Sequence, residues 1–366
     1  MKPRRAITRR LLLAGLPAPA LKSAGGVGQI FIAERSRYLD PATEFEVVCL
    51  TGPAYATYLP ATTSKIIARR GGALLCASDR PGSLQAFRLD WKSGEMRQLT
   101  GCRALDKDAL CWHPDERSFF CFDGASLVRV PLATLRPREI YRIPEGWDKG
   151  AGFSLSEDGL YAFCVERRQD RSRLRMIGLA KSAVTTVLET AGTLENPQPR
   201  PKRAGILYQR DGDSLWLVNY DGANNRRLNT AAGKPGPALW SADGRTVLYL
   251  HSPEQEPQRR WLREHTPDFN ADQLVAPTTQ FVCFHRNADA SVFVGASGSQ
   301  AAPHILLLLR ITRRELTLCE HASSQARSVK PLFAPDSQRI FFESDRHGKS
   351  ALYTMSLERL VEPTDG

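Results

Sequence analysis

The chain has 366 residues, 42% of them apolar and 24% charged, with a formal net charge of +11. That balance excludes a disordered polymer and a small disulfide-stapled domain, and the length permits a substantial core. Much of the positive excess is local, because Lys2, Arg4, Arg5, Arg9, Arg10 and Lys22 precede the first acidic residue.

The opening segment reads as a targeting signal. Thr8-Arg9-Arg10-Leu11-Leu12-Leu13 follows a basic start, a short apolar stretch continues to Ala18, and Ala20, Ser23 and Ala24 supply small residues for processing. This is the pattern of a twin-arginine export signal over residues 1–24, and it predicts a periplasmic or extracellular protein. The apolar run contains Pro17 and is too short to span a bilayer, so no membrane span is expected. Residues 25–44 read as a linker and residues 45–366 as one domain. Nothing places a run of Lys or Arg among stacking aromatics, so a nucleic-acid partner is not expected. The chain is expected to be a monomer.

From about Thr62 a degenerate repeat begins. Its fullest copy joins Arg69-Arg70-Gly71-Gly72 to the apolar run Ala73-Leu74-Leu75-Cys76-Ala77, a Ser78-Asp79-Arg80 corner, a second strand at Leu84–Asp90 and a third ending Leu99-Thr100. The turn and strand return at Pro114-Asp115, Glu157-Asp158-Gly159, Ala242-Asp243-Gly244, Ala288-Asp289 and Pro335-Asp336, each followed by an apolar run. One further copy, between about Asn196 and Thr230, has Pro201-Lys202-Arg203-Ala204 in place of the Asp turn. Asp caps such a corner with its side chain, and the residue after it takes a positive φ. A spacing of about 40 residues is what four strands with tight turns require. Seven copies predict an all-β, seven-bladed β-propeller.

Ring closure also has a visible solution. The last repeat ends at Ala351–Leu357 without an outer strand, while Glu46-Val47-Val48-Cys49-Leu50-Thr51 has the form of an outer strand and no preceding blade. The N-terminal strand is expected to complete the last blade and so remove an exposed sheet edge. Residues 36–44 and 252–273 carry no clear pattern. The eight cysteines, at 49, 76, 102, 111, 121, 164, 283 and 319, show no C-x-x-C spacing and mostly sit in apolar strand patterns.

The repeats resemble those of TolB-type propellers. The less repetitive segments, Ile140–Trp147, Asn196–Pro201, Trp216–Asn224, Asn287-Ala288-Asp289 and Leu318–Ser324, more closely resemble the oligogalacturonate lyases, which are seven-bladed propellers. Enzymes of that family cleave short pectic oligomers by β-elimination. A base removes the proton α to a uronate carboxylate, while a metal and an arginine offset the carboxylate's charge. The resemblance carries the family's manganese-type site, a glutamine and three histidines, onto Gln325, Ser328, Lys330 and a position near Phe281. Its base falls on Pro237 and its arginine on Arg200. The histidines are therefore replaced, no metal or other cofactor is expected, and the remaining seven histidines show no ligand spacing.

Two functions follow. As a binding protein, the propeller holds an acidic oligosaccharide or a protein partner, with Arg200, Gln325 and Lys330 as substrate-binding residues and Lys330 standing in for the ion's charge. As an enzyme, it is a carbon–oxygen lyase with a rearranged site in which Arg200 is the retained catalytic residue. A serine hydrolase is excluded, because Gly295-Ala296-Ser297-Gly298-Ser299 lacks the last glycine of a nucleophile elbow and opens no helix. Convergence of Arg200, Gln325 and Lys330 in one cleft is the observation that favours a ligand site.

Overall fold

The computed structural model describes residues 26–69, 72–278, 280–361 and 363. The export signal expected at residues 1–24 lies outside the described residues. The strands fall into seven antiparallel sheets arranged as the blades of a β-propeller.

Blades 2 to 6 each take four consecutive strands, with inner strands at Cys111–Trp112, Asp148–Leu155, Leu194–Pro199, Gly233–Trp240 and Phe281–Arg286. Blade 1 runs outward from Thr57–Tyr58 through Ala73–Ser78 and Gln85–Asp90 to Met96–Gln98. Blade 7 takes Leu332–Phe333, Arg339–Ser344 and Ala351–Ser356 from the end of the chain and Glu46–Cys49 from its beginning. Val47 pairs with Met355 and Cys49 with Tyr353, so the ring is fastened as the sequence predicts.

The core is a circle of apolar seams, one between each pair of neighbouring blades. Side chains alternate across a strand. In blade 2, Phe119 and Cys121 therefore face blade 1, while Phe120 and Phe122 face Phe153 and Cys164 of blade 3. In blade 3, Phe163 and Val165 turn the other way, toward Ile206 and Tyr208 of blade 4. Burial on both faces is why these strands read as continuous apolar runs.

The Asp turns behave as the repeat implies. Asp115, Asp158, Asp243, Asp289 and Asp336 each accept the backbone N–H two residues on, at 2.9 to 3.0 Å. The intervening residue has positive φ in every copy, and it is glycine only at Gly159 and Gly244; Glu116, Ala290 and Ser337 adopt the same left-handed conformation.

Three regions differ from expectation. The segment read as a linker supplies Ser36–Leu39, a fifth strand on blade 7, and Ile30–Phe31, a fifth strand on blade 1. Residues 252–273 hold a regular third strand, Arg260–Thr266, whose charges are matched by partners: Arg263 meets Asp272 at 2.6 Å, and Glu264 meets Arg310 at 2.6 Å. The first blade begins before Thr62, and the inner strand is interrupted there. Thr57–Tyr58 pairs with the next strand, residues 59–65 leave the sheet, and Ile67 rejoins it opposite Leu74. That excursion enters the channel. Leu59 N–H donates to Glu343 at 2.6 Å in blade 7, and Ser64 Oγ donates to the Phe153 carbonyl at 2.9 Å in blade 3.

Candidate functional site

The channel has two cavities that share Thr62, Thr63 and Gln198. The near cavity, of 550 Å³, lies where the inner strands begin; the far one lies where they end. The near cavity is lined by small and polar groups, among them Thr63, Gly150, Gly152, Asn196 and Gln209, and by the apolar side chains of Phe153, Leu207 and Leu215. Small side chains leave backbone amides and carbonyls open to a ligand, as polyhydroxy molecules require.

Two ammonium groups stand in this wall. Lys149 extends from the inner strand of blade 3, donates to Asp106 at 2.6 Å and to the Gly150 carbonyl at 3.2 Å, and lies 5.3 Å from the Phe122 ring centre. Lys330 precedes the inner strand of blade 7 in a left-handed backbone conformation, φ 46°. For a lysine this conformation costs about 1 kcal/mol. The anchoring contacts hold it: its Nζ donates to Asp108 at 2.6 Å and to the Leu59 carbonyl at 2.7 Å. Each ammonium has three protons and two acceptors here, so one N–H remains for a ligand. Burial alone would raise the pKa of Asp108, but Lys330 and Lys107 outweigh it and hold the carboxyl below its ordinary range.

Behind Lys330 lies Glu343, buried at 3% exposure, whose pKa burial raises despite the opposing field of Lys330. It accepts Leu59 N–H at 2.6 Å and Ser350 Oγ–H at 2.9 Å. Leu59 therefore ties the two charges together, donating to one and accepting from the other.

The three residues singled out from the sequence do not converge. Lys330 alone lines the near cavity. Gln325 is exposed, just ahead of the short turn Ala326–Ser328. Arg200 lines neither cavity. It is 7% exposed, forks onto Asp268 at 2.9 and 2.8 Å, donates Nε to the Gly244 carbonyl at 2.7 Å, and rests 5.2 Å from the Trp240 ring centre. Its charge is spent within the fold, joining blade 4 to blade 5. Lys149, Asp106 and Asp108 carry no motif, and their neighbours in sequence gave no signal that would have found them.

The donors also fail to fit a divalent ion. Phe281 is fully buried among Leu248, Leu250 and Phe284. Ser328 turns its hydroxyl to the Gln325 carbonyl at 2.8 Å, and Lys330 brings positive charge instead of a lone pair. Such an ion needs several oxygen or nitrogen donors around one point. Among the described residues no group of three His, Cys, Asp or Glu side chains is placed to hold one. No helix among the described residues is long and apolar enough to cross a membrane.

Comparison with known proteins follows the same lines. The chain matches no protein-family model. It is 23% identical to an oligogalacturonide lyase of Pectobacterium atrosepticum over 367 residues, covering 86% of this chain and 94% of that protein. An oligogalacturonate lyase structure in complex with manganese superposes with a TM-score of 0.86 at 22% identity, covering 91% of this chain and 98% of that one. TolB from Acinetobacter baumannii is more distant, with a TM-score of 0.51 at 14% identity over 74% of this chain and 64% of its own.

Proposed function

We propose that this oligogalacturonate lyase-like propeller is an exported protein that binds a short acidic oligosaccharide at the near mouth of its channel and has given up metal-dependent β-elimination. The observation that carries the reading is the pair of ammonium groups, Lys149 and Lys330, set in the wall of a 550 Å³ cavity that also offers Thr63, Asn196 and Gln209. Each has a spare N–H, and a uronate offers a carboxylate and a ring of hydroxyls to such donors. Lys330 stands where the lyase resemblance places a metal ligand, so a positive charge is kept where the ion's charge would act. Asp106 and Asp108 hold both cations in position until a ligand carboxylate competes for them. Export by a twin-arginine leader would place the protein in the periplasm or outside the cell, where pectic fragments are met.

The enzyme reading is weaker on chemistry. A base for β-elimination needs a free lone pair. Pro237 has none to give, and Lys330 is engaged as a donor to both of its partners.

Calorimetry with di- and trigalacturonate, on wild type and Lys330→Gln, tests the binding reading. Saturable binding that weakens about tenfold in the variant is expected for loss of one charge-assisted contact. No heat at millimolar ligand would sink it. Ultraviolet detection of unsaturated uronate, with and without manganese, tests the enzyme reading, and no product is expected in either case.

A further inference from the structure

The far cavity has a volume of 800 Å³ and a mixed lining, in which Trp112, Leu239, Trp240, Leu332 and Phe333 stand beside charged groups that include Asp115, Glu116 and Glu157. Most of its charges are matched within the fold. Lys65 meets Glu116 at 2.7 Å and Arg129 approaches Asp115 at 4.0 Å, while Glu157 accepts only the backbone N–H of Lys202, at 3.0 Å, and keeps its charge.

Arg286, which also lines this cavity, is different. Its Nε donates to the Trp240 carbonyl at 2.8 Å, and its Nη1 donates to the carbonyls of Asn287 and Ala288 at 3.0 and 3.3 Å. Carbonyls fix the plane of a guanidinium without neutralising it. Its Nη2 has no partner among the described residues and is not sealed away from the cavity. Burial disfavours the cation, the field of Asp243 only partly offsets this, and the pKa of Arg286 is lowered. Asp243 is itself engaged by Arg245 at 3.4 Å. The contrast with Arg200, forked onto its own carboxylate, is direct. Beside Arg286, His285 is uncharged at neutral pH, because burial drives its pKa down to about 3.

A half-buried guanidinium that no carboxylate touches, with Trp240, Leu332 and Phe333 in the same cavity, is completed by an anion with an apolar body. We propose that the far end of the channel is a second ligand site, in which Arg286 binds the carboxylate of a small organic acid whose apolar part packs against Trp240, Leu332 and Phe333. The volume suits such a molecule. This site stands whether or not the near mouth binds uronates.

Fluorine NMR with para-fluorobenzoate and the matching amide, on the full chain, tests it. Saturable binding of the benzoate is expected, about tenfold weaker for the amide and for Arg286→Gln, and unchanged in Lys330→Gln. Equal binding of acid and amide, no binding at millimolar probe, or loss in Lys330→Gln overturns the proposal. Arg286→Gln also removes carbonyl contacts, so its fold is checked by circular dichroism. Crystals soaked with para-iodobenzoate need no variant: iodine density beside Trp240 and Phe333 supports the site, and density only at the near mouth, or nowhere, overturns it.

Discussion

Lys330 and Asp108 lie 222 residues apart in sequence, and their charged atoms meet at 2.6 Å. The contact closes a bridge across the near mouth, between the segment leading into blade 7 and the connection from blade 1 to blade 2. The Asp108 side chain is half exposed while that of Lys330 is largely covered, so the carboxylate is the partner free to leave. On the proposed reading, Asp108 occupies the place a ligand carboxylate takes. Asp108→Asn is expected to strengthen galacturonate binding by about tenfold, and Lys330→Gln to weaken it, both measured by calorimetry. Weaker binding in Asp108→Asn would show that the carboxylate positions the ammonium instead of competing for it.

Ring closure rests on a few buried side chains. Val47 is fully buried in the seam between blades 6 and 7. Val47→Asp puts an unpaired charge there and should cost about 3 kcal/mol or more, seen as a lower urea midpoint. Leu39, 65% exposed on the strand outside it, is the control, and Leu39→Ser should change stability by no more than about 0.5 kcal/mol.

Arg200 is placed to hold blades together, away from both cavities. Arg200→Lys loses the fork onto Asp268 and the bond to the Gly244 carbonyl, and should lower stability by roughly 2 kcal/mol. Galacturonate affinity, measured below the unfolding range, should stay within twofold of wild type. A large loss of affinity with unchanged stability would return Arg200 to the ligand site.

Stability should fall in mild acid. Burial lowers the pKa of His251, His265 and His321, and drives His285 to about 3. The His265 ring is fully buried, and burial outweighs the field of Asp272 and the Asn270 side chain, which favour its charged form. The His321 ring is used as a neutral group, accepting Ser323 N–H at Nδ1, 3.0 Å away, and contacting the Ser297 carbonyl through Nε2 at 3.1 Å. Each histidine titrates lower in the fold than in the unfolded chain, where the value is about 6.5. Their contribution is therefore complete above about pH 6.5, and it is lost as pH falls through that value toward the folded pKa, by up to about 1.4 kcal/mol per unit and group. Urea midpoints between pH 8 and pH 5 should drop steadily, and His265→Gln should reduce the slope. A flat profile would mean these rings find protonated partners.

How much was legible follows from local chemistry. The blades were readable because both faces of the inner strands are apolar and the Asp turns write their geometry into a few residues. Closure was readable because Glu46–Cys49 has the pattern of an outer strand ahead of the first repeat, while the last repeat lacks one; its local partner, Ser36–Leu39, gave no such pattern. Ser36–Leu39 and Ile30–Phe31 were not, since strands this short and exposed need no apolar pattern. Arg260–Thr266 was hidden by charges whose partners sit on neighbouring strands. The near site was the least visible part. Lys330 entered through family likeness alone, and Lys149, Asp106 and Asp108 are brought together from separate connections, a closeness that only the ring creates. The partner of Arg200 was hidden for the same reason: Asp268 is 68 residues away.

Because Glu46–Cys49 borders Ala351–Ser356, synthesis delivers one half of the final sheet hundreds of residues before the other. The early strand must wait, with one hydrogen-bonding edge open, until the last blade has been made. A product cut short by even one blade leaves two raw edges and no circle. Such a molecule exposes unpaired strand edges, so the ring forms only when both of its end segments are present.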